Sequence, residues 1–157
     1  MKYAEWLETV PSEITNDPIW KLEVYRLALF VDDIGWNDVL ALSKNNLMWG
    51  VVDQLHRSLG SISANLTEGY SRSKGLDRAR FFEISLGSAR ESRDWYYKSR
   101  HVLSSEIIKH RIGLITHIIG MLTPMIYHQR KNAIREEQAK YNAQPSAFSL
   151  DSEVPFP

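Results

Sequence analysis

Four polar residues in the middle of the chain have the types and the spacing that acid–base chemistry needs. Asn65 and Glu68 lie three residues apart, and so do Ser88 and Glu91. Two neighbouring carboxylates can act as acid and base when burial separates their pKa values. The alternative is a structural polar network that fixes the register of two helices. Because no histidine, nucleophile–base pair or phosphate-binding glycine loop lies nearby in the sequence, we predict the structural network and no catalytic residue.

The five histidines raise the question of a metal site. His110 and His117 share one helix face, but seven residues of helix separate them by about 10 Å, too far for both to bind one ion unaided. The sequence also lacks the Glu-x-x-His pair of carboxylate-bridged di-metal bundles. We therefore predict no metal and no cofactor.

Basic residues cluster just after residue 70, and their charge suits contact with nucleic acid. The candidate phosphate contacts are Arg72, Lys74, Arg78 and Arg80. Binding of this kind neutralises phosphates and weakens as the salt concentration rises. The alternative is a solvated helix face with intrahelical ion pairs. Binding of RNA or DNA is therefore the second hypothesis for this protein.

Apolar residues spaced three and four apart predict the helices that position these groups. The predicted helices cover residues 17–35, 46–69, 73–103 and 105–131. We expect Gly35 to end or bend the first helix and Gly69 to cap the second in a left-handed conformation. Short connections between amphipathic helices favour an all-α, antiparallel up-down-up-down four-helix bundle.

Three regions are predicted along the chain. Residues 1–16 are expected to form a short N-terminal arm, and residues 17–131 the four-helix bundle. Residues 132–157 are expected to form a helical extension and a mobile tail, because the last part carries three prolines and no helical period.

The fourth helix carries more apolar surface than one seam of a bundle needs. Its second apolar line consists of Leu114, Ile118, Met121 and Met125. One explanation is a broad surface facing the core of the same chain. The other is an interface with another subunit, which we favour because large exposed apolar patches are rarely left in water.

Composition places the chain among ordinary globular proteins. It has 157 residues, 43% of them hydrophobic, no cysteine and a net charge of zero. Residues 1–58 are acidic and residues 70–111 are basic, so a local basic face is compatible with the neutral total. No apolar run approaches the roughly 20 residues that cross a bilayer, and no secretory signal begins the sequence. We predict a cytoplasmic protein that binds neither a membrane nor a small-molecule substrate.

The stretch from Ser61 to Glu91 resembles a known family signature. Its pattern is approximately Ser-Ile-Pro-Ala-Asn-Ile-Ala-Glu-Gly, a basic turn, and Phe-x-Arg-Phe-Leu-x-x-Ala-x-Gly-Ser-x-x-Glu. The matching residues are Ser61, Ile62, Ala64, Asn65, Leu66, Glu68, Gly69, Arg72, Ser73, Arg80, Phe81, Phe82, Gly87, Ser88 and Glu91. Ser63 stands where the family has proline.

On these residues the chain resembles the bacterial four-helix-bundle family of ribosomal-RNA intervening-sequence proteins, which is related to the accessory variability proteins of diversity-generating retroelements. The resemblance implies a homo-oligomer, typically a pentamer, without an established catalytic residue. It also implies nucleic acid or a reverse transcriptase as a partner of some members. We predict a non-catalytic oligomeric interaction or scaffold module, with a nucleic-acid-binding accessory protein as the alternative.

Overall fold

The computed structural model describes residues 2–73 and 75–133, together with Pro155 and Pro157. These residues form α-helices, short 3-10 turns and connections, and no strand occurs among them. The α-helices are α1 (Tyr3–Leu7), α2 (Ser12–Thr15), α3 (Glu23–Ser43), α4 (Trp49–Tyr70), α5 (Gly75–Lys98) and α6 (Ser105–Ala133). The prediction of an all-α protein with four long helices is thus confirmed. Among the described residues, we find no helix with the length and hydropathy of a transmembrane span.

The four long helices pack around one apolar core. Helix α5 packs against α4 and α6, and α3 packs against the same two helices. The pairs of bonded residues show the relative direction of α4 and α5: Ser85 meets Ile62, whereas Ser92 meets Ser58. Because the contact moves backwards along α4 as it advances along α5, these two helices are antiparallel.

Helix α3 is longer than the sequence pattern indicated. The prediction that the first helix ends at Gly35 is wrong, because α3 continues through this residue to Ser43. Gly35 is needed for close packing instead. A Cβ atom there would lie 2.6 Å from Leu59 Cδ1 and 3.1 Å from the Tyr96 hydroxyl, so any other residue would require these side chains to shift. Residues 36–43 therefore belong to the core-forming helix.

The prediction that Gly69 caps the second helix in a left-handed conformation is also wrong. Gly69 lies inside α4, and no residue in the described ranges has a positive φ angle. A Cβ atom on Gly69 would come within 2.8 Å of the Phe82 ring of α5. The glycine thus allows close packing of α4 on α5 rather than a left-handed cap.

The predicted subunit interface on α6 requires a correction. Leu114 and Ile118 are completely buried within the single chain, and Met121 and Met125 are half-buried against the same core. A side chain with no exposed surface in one chain offers none to a second chain. This apolar line is therefore the broad core-facing surface that was the alternative explanation.

The N-terminal segment is fixed to the core by aromatic residues. Tyr3 and Trp6 of α1 are buried and pack against Phe30 of α3, with ring centroids 5.1 and 5.2 Å from the Phe30 ring. The indole N–H of Trp6 also donates to Asp33 Oδ2 at 2.7 Å. The region boundaries at residues 16 and 131 stay predictions, and the predicted tail falls mostly outside the described residues.

Candidate functional site

A row of small hydroxyl groups joins α4 to α5, and we call it the serine seam. It comprises Ser58 and Ser61 of α4 and Ser85, Ser88 and Ser92 of α5. Ser92 donates to Ser58 Oγ at 2.9 Å, Ser88 to Ser61 Oγ at 2.9 Å, and Ser85 to the Ile62 carbonyl at 2.8 Å. Because serine is small, these bonds form with the two helices in close contact.

The predicted polar network of Asn65, Glu68, Ser88 and Glu91 is only partly brought together. Asn65 donates to Ser61 Oγ at 2.9 Å, and Ser88 bonds the same hydroxyl, so Asn65 and Ser88 are linked through Ser61. Glu68 and Glu91 are exposed and bond elsewhere. The network is thus built from an amide and hydroxyls.

The two carboxylates do not form the pair that acid–base catalysis needs. Glu68 accepts a charge-assisted hydrogen bond from Arg72, one turn further along the chain. Glu91 accepts from the indole N–H of Trp95 at 3.1 Å on its own helix. Each carboxylate therefore has a local partner at the surface.

The candidate phosphate contacts lie around the connection between α4 and α5. Arg72 is exposed, and its guanidinium lies 4.9 Å from the centroid of the Phe81 ring. Arg78 is half-buried and donates to the Arg72 carbonyl at 2.6 Å, which fastens the start of α5 to the end of α4. Arg80 is exposed, and Lys74 lies outside the described residues. Two of the four thus also hold the connection together.

A second polar cluster lies in the interior where α3, α5 and α6 meet. Arg111 Nε donates to Asp38 Oδ2 at 2.7 Å, and Arg111 Nη2 donates to Asp38 Oδ1 at 3.2 Å. The Tyr96 hydroxyl donates to Asp38 Oδ2 at 2.9 Å. All three residues are 0% exposed. We call the Asp38–Arg111 pair the core ion pair.

Burial changes the protonation chemistry around the core ion pair. It raises the pKa of the Asp38 carboxyl, although the guanidinium and the Tyr96 hydroxyl oppose that rise. Burial and the neighbouring carboxylate raise the pKa of Tyr96 well above its usual value. Burial, together with Arg111, lowers the pKa of His110 to about 4. A neutral His110 ring can accept from Arg111 Nη1, which lies 2.9 Å from Nδ1.

The core ion pair is suited to hold helices together and unsuited to meet a substrate. Its two members and Tyr96 are inaccessible, so no reacting group from solvent reaches them. Sequence reasoning did not single out Asp38 or Arg111, since 73 positions separate them. One feature of the sequence could have indicated the pair: Arg111 lies inside the apolar pattern of α6, where a buried charge without a partner costs stability.

An open cavity of about 320 Å³ lies between the N-terminal segment and α3. Its lining includes Trp6, Val10, Ile14, Leu29, Asp32 and Asp33. Burial raises the pKa of Asp32, an effect that His56 opposes. Two carboxylates beside apolar walls can accept a cationic group, although the indole of Trp6 already occupies one Asp33 oxygen.

Metal-binding geometry is lacking in the part of the chain that the structure describes. No group of three histidine, aspartate or glutamate side chains there could hold an ion. His110 and His117 are half-buried on α6, and His110 faces the Arg111 guanidinium. A positive neighbour of this kind disfavours a cation at His110.

Exposed apolar side chains concentrate where α3 ends and α4 begins, and we call them the apolar end patch. Trp36 and Leu40 of α3 are 54% and 48% exposed, while Leu47 and Trp49 at the connection are 91% and 66% exposed. Only the Trp36 ring has a ring partner among the described contacts, His56 of α4 at 5.6 Å. Contiguous exposed apolar surface is a common feature of contacts between proteins.

These features define a class of protein: an all-α chain of four long helices whose buried polar groups bond to one another across the helix contacts. A family model described as 23S rRNA-intervening sequence protein matches residues 21–124, which span α3 to α5 and most of α6. The chain belongs to this family, as the signature predicted. The family is not a known enzyme family. Searches of curated proteins and of solved structures give no match.

Proposed function

We propose that the protein is an antiparallel up-down-up-down four-helix bundle that acts as a non-catalytic, oligomeric interaction module in the cytoplasm. The observation that carries this proposal is the apolar end patch of Trp36, Leu40, Leu47 and Trp49. Complete burial of a large apolar side chain contributes roughly 1.5–3 kcal/mol, and each residue of the patch would contribute in proportion to its exposed fraction. Several such residues supply the aromatic and aliphatic anchors of an interface.

The partner that fits the patch best is a second copy of this chain. A protein with no net charge does not repel its own copies electrostatically. Its acidic first third and basic middle also allow opposite charges to meet between subunits. The family resemblance favours a ring of five subunits, and this number is part of the proposal.

Light scattering coupled to gel filtration tests the assembly. We expect a particle several times heavier than the 18.2 kDa chain, and five times heavier if the ring is pentameric. Leu40→Lys with Trp49→Lys should dissociate it while circular dichroism stays helical. Ile84→Lys is the matched control, because Ile84 is 44% exposed on α5 and lies outside the patch. A wild-type monomer at micromolar concentration would refute the proposal.

Non-catalytic action is supported by how the polar groups are used. Glu68 and Glu91 bond to separate surface partners, and the core ion pair has no exposed surface. These groups therefore have structural tasks. A catalytic activity abolished by Glu68→Gln or Glu91→Gln, without a change in fold, would contradict this part of the proposal.

Nucleic-acid binding is the second candidate, and the exposure of Arg72 and Arg80 near one connection favours it. The partner would be RNA or DNA, alone or with a reverse transcriptase. Binding to a labelled oligonucleotide should weaken as salt rises, and Arg80→Gln should reduce the salt slope by about one unit. Affinity that does not change with salt would rule out phosphate contacts by these arginines.

A further inference from the structure

The buried guanidinium of Arg111 has a partner that comes from far along the chain. Besides its bonds to Asp38 and His110, Arg111 Nη2 donates to the Pro155 carbonyl oxygen at 2.8 Å. Pro155 is half-buried, and 44 positions separate it from Arg111. A backbone carbonyl from a distant position in the sequence thus adds one acceptor to the surroundings of a fully buried charge.

The Pro155 carbonyl supplies a hydrogen-bond acceptor that the buried Arg111 guanidinium needs. A guanidinium carries five N–H donors and accepts nothing. Asp38 takes one donor from Nε and one from Nη2, and His110 faces Nη1. The second N–H of Nη2 needs another acceptor, because a buried donor without a partner loses its hydration and gains nothing in return. A peptide carbonyl supplies this acceptor without adding charge.

The chain is long enough for this contact to form within one molecule. From Arg111 to Ala133 the helix rises about 33 Å at 1.5 Å per residue. The residues between Ala133 and Pro155 can span up to about 70 Å when fully extended. A return from the end of α6 to Arg111 is therefore geometrically available.

We propose that Arg111 is a docking site for a peptide carbonyl and that Pro155 of the same chain occupies it as a plug next to the core ion pair. The group that Arg111 recognises is a backbone carbonyl oxygen. It accepts from a guanidinium N–H that the Asp38 carboxylate does not use. Loss of the Pro155 contact leaves one Arg111 N–H without its acceptor. Neither the family match nor the proposed assembly assigns such a site.

Hydrogen exchange of the arginine side chains, followed by NMR on the intact protein, provides the first test. The Arg111 guanidinium protons should exchange at least about tenfold more slowly than those of Arg57, which is mostly exposed. Protection should be the same at low and high protein concentration, since the segment belongs to the same molecule. Protection that is lost on dilution would assign the site to a second copy and overturn the plug. Exchange as fast as at Arg57 would overturn it as well.

Deletion of residues 150–157 tests the plug directly. We expect Arg111 exchange to accelerate at least about tenfold and the Tm to fall by a few degrees. A synthetic peptide of residues 150–157, added to the shortened protein, should restore both values in a saturable way. Pro155→Ala keeps the backbone carbonyl and should leave exchange within about twofold of wild type. A Pro155→Ala variant that behaves like the deletion would refute recognition of the carbonyl.

The same deletion in a protein without the ion pair provides the matched control. In the triple variant Asp38→Leu, Tyr96→Phe, Arg111→Met, the plug has lost its anchor, so the deletion should leave the Tm unchanged. An equal Tm loss in both backgrounds would mean that the segment stabilises the protein somewhere other than at Arg111, and the proposal would fail.

Discussion

The serine seam and the core ion pair both place polar groups between packed helices. The seam uses neutral hydroxyl groups, whereas the ion pair uses full charges. The seam joins α4 and α5 with neutral hydroxyls that also have acceptors on their own helix: Ser92 can donate to the Ser88 carbonyl and Ser58 to the Leu55 carbonyl. Arg111 and Asp38 have no such substitute, because a full charge in the interior needs its specific partner. The seam should therefore tolerate the loss of one member, and the ion pair should not.

The largest expected effect comes from breaking the ion pair on one side. Arg111→Met leaves the Asp38 carboxylate buried without its bidentate partner, and this should cost about 3–5 kcal/mol of unfolding free energy. Urea denaturation followed by circular dichroism measures the change. A loss below about 1 kcal/mol would show that water reaches Asp38 and that the pair is not truly buried.

The matched control for this prediction is the triple variant Asp38→Leu, Tyr96→Phe, Arg111→Met. It removes both charges and the hydroxyl that depends on them, so no buried polar group is left unpaired. Apolar replacement of a buried pair is often neutral or stabilising. We expect the triple variant to be more stable than Arg111→Met alone, and the reverse order would contradict the ion-pair argument.

A smaller effect is expected from crowding the end of the serine seam. Gly69→Ala would press a methyl group against the Phe82 ring of α5 and should cost about 1–3 kcal/mol. Gly87→Ala on α5 is the control, since its new Cβ meets nothing within 4 Å. This control should be neutral or up to about 1 kcal/mol more stable, because alanine favours a helix over glycine. Equal effects of both variants in thermal unfolding would reject the close-packing role of Gly69.

Removing one hydroxyl from the seam should cost less again. Ser92→Ala deletes the bond to Ser58, whose hydroxyl keeps the Leu55 carbonyl, so we expect a loss of about 0.5–1.5 kcal/mol. Adding Ser58→Ala should cost less than the sum of the two single changes, as a double-mutant cycle would show. A loss from Ser92→Ala as large as that from Arg111→Met would remove the distinction between the two interfaces.

An effect of similar, small size is expected from a pH dependence next to the ion pair. The folded pKa of His110 is about 4, below the unfolded value of 6.5. Between these values the unfolded chain binds the extra proton, so the stability due to neutral His110 is full above about pH 6.5 and is lost as the pH falls towards 4. His110 is half-buried, and screening should limit the loss to roughly 1 kcal/mol. Chemical denaturation of wild type and His110→Gln between pH 4 and 7 should show the steeper acid loss in the wild type. Parallel curves would contradict the lowered pKa.

The sequence alone determined the all-α class, the four long helices and the family. These features follow from local sequence patterns, namely apolar residues three and four apart and the contiguous signature from Ser61 to Glu91. It also predicted one network of Asn65, Ser88, Glu68 and Glu91 where α4 meets α5. Asn65 and Ser88 are linked through Ser61, but the two carboxylates bond elsewhere. Gly35 and Gly69 were misjudged, since a local pattern cannot distinguish a helix end from a place where another helix comes close.

Only the tertiary structure decided which groups share the interior. Asp38, Tyr96 and Arg111 come from three helices and are joined by one carboxylate, and no local spacing connects them. The placement of Leu114 and Ile118 in the core was settled in the same way, because the apolar line of one helix does not say which neighbour covers it. Periodicity records which face of a helix is apolar, whereas packing determines what that face contacts.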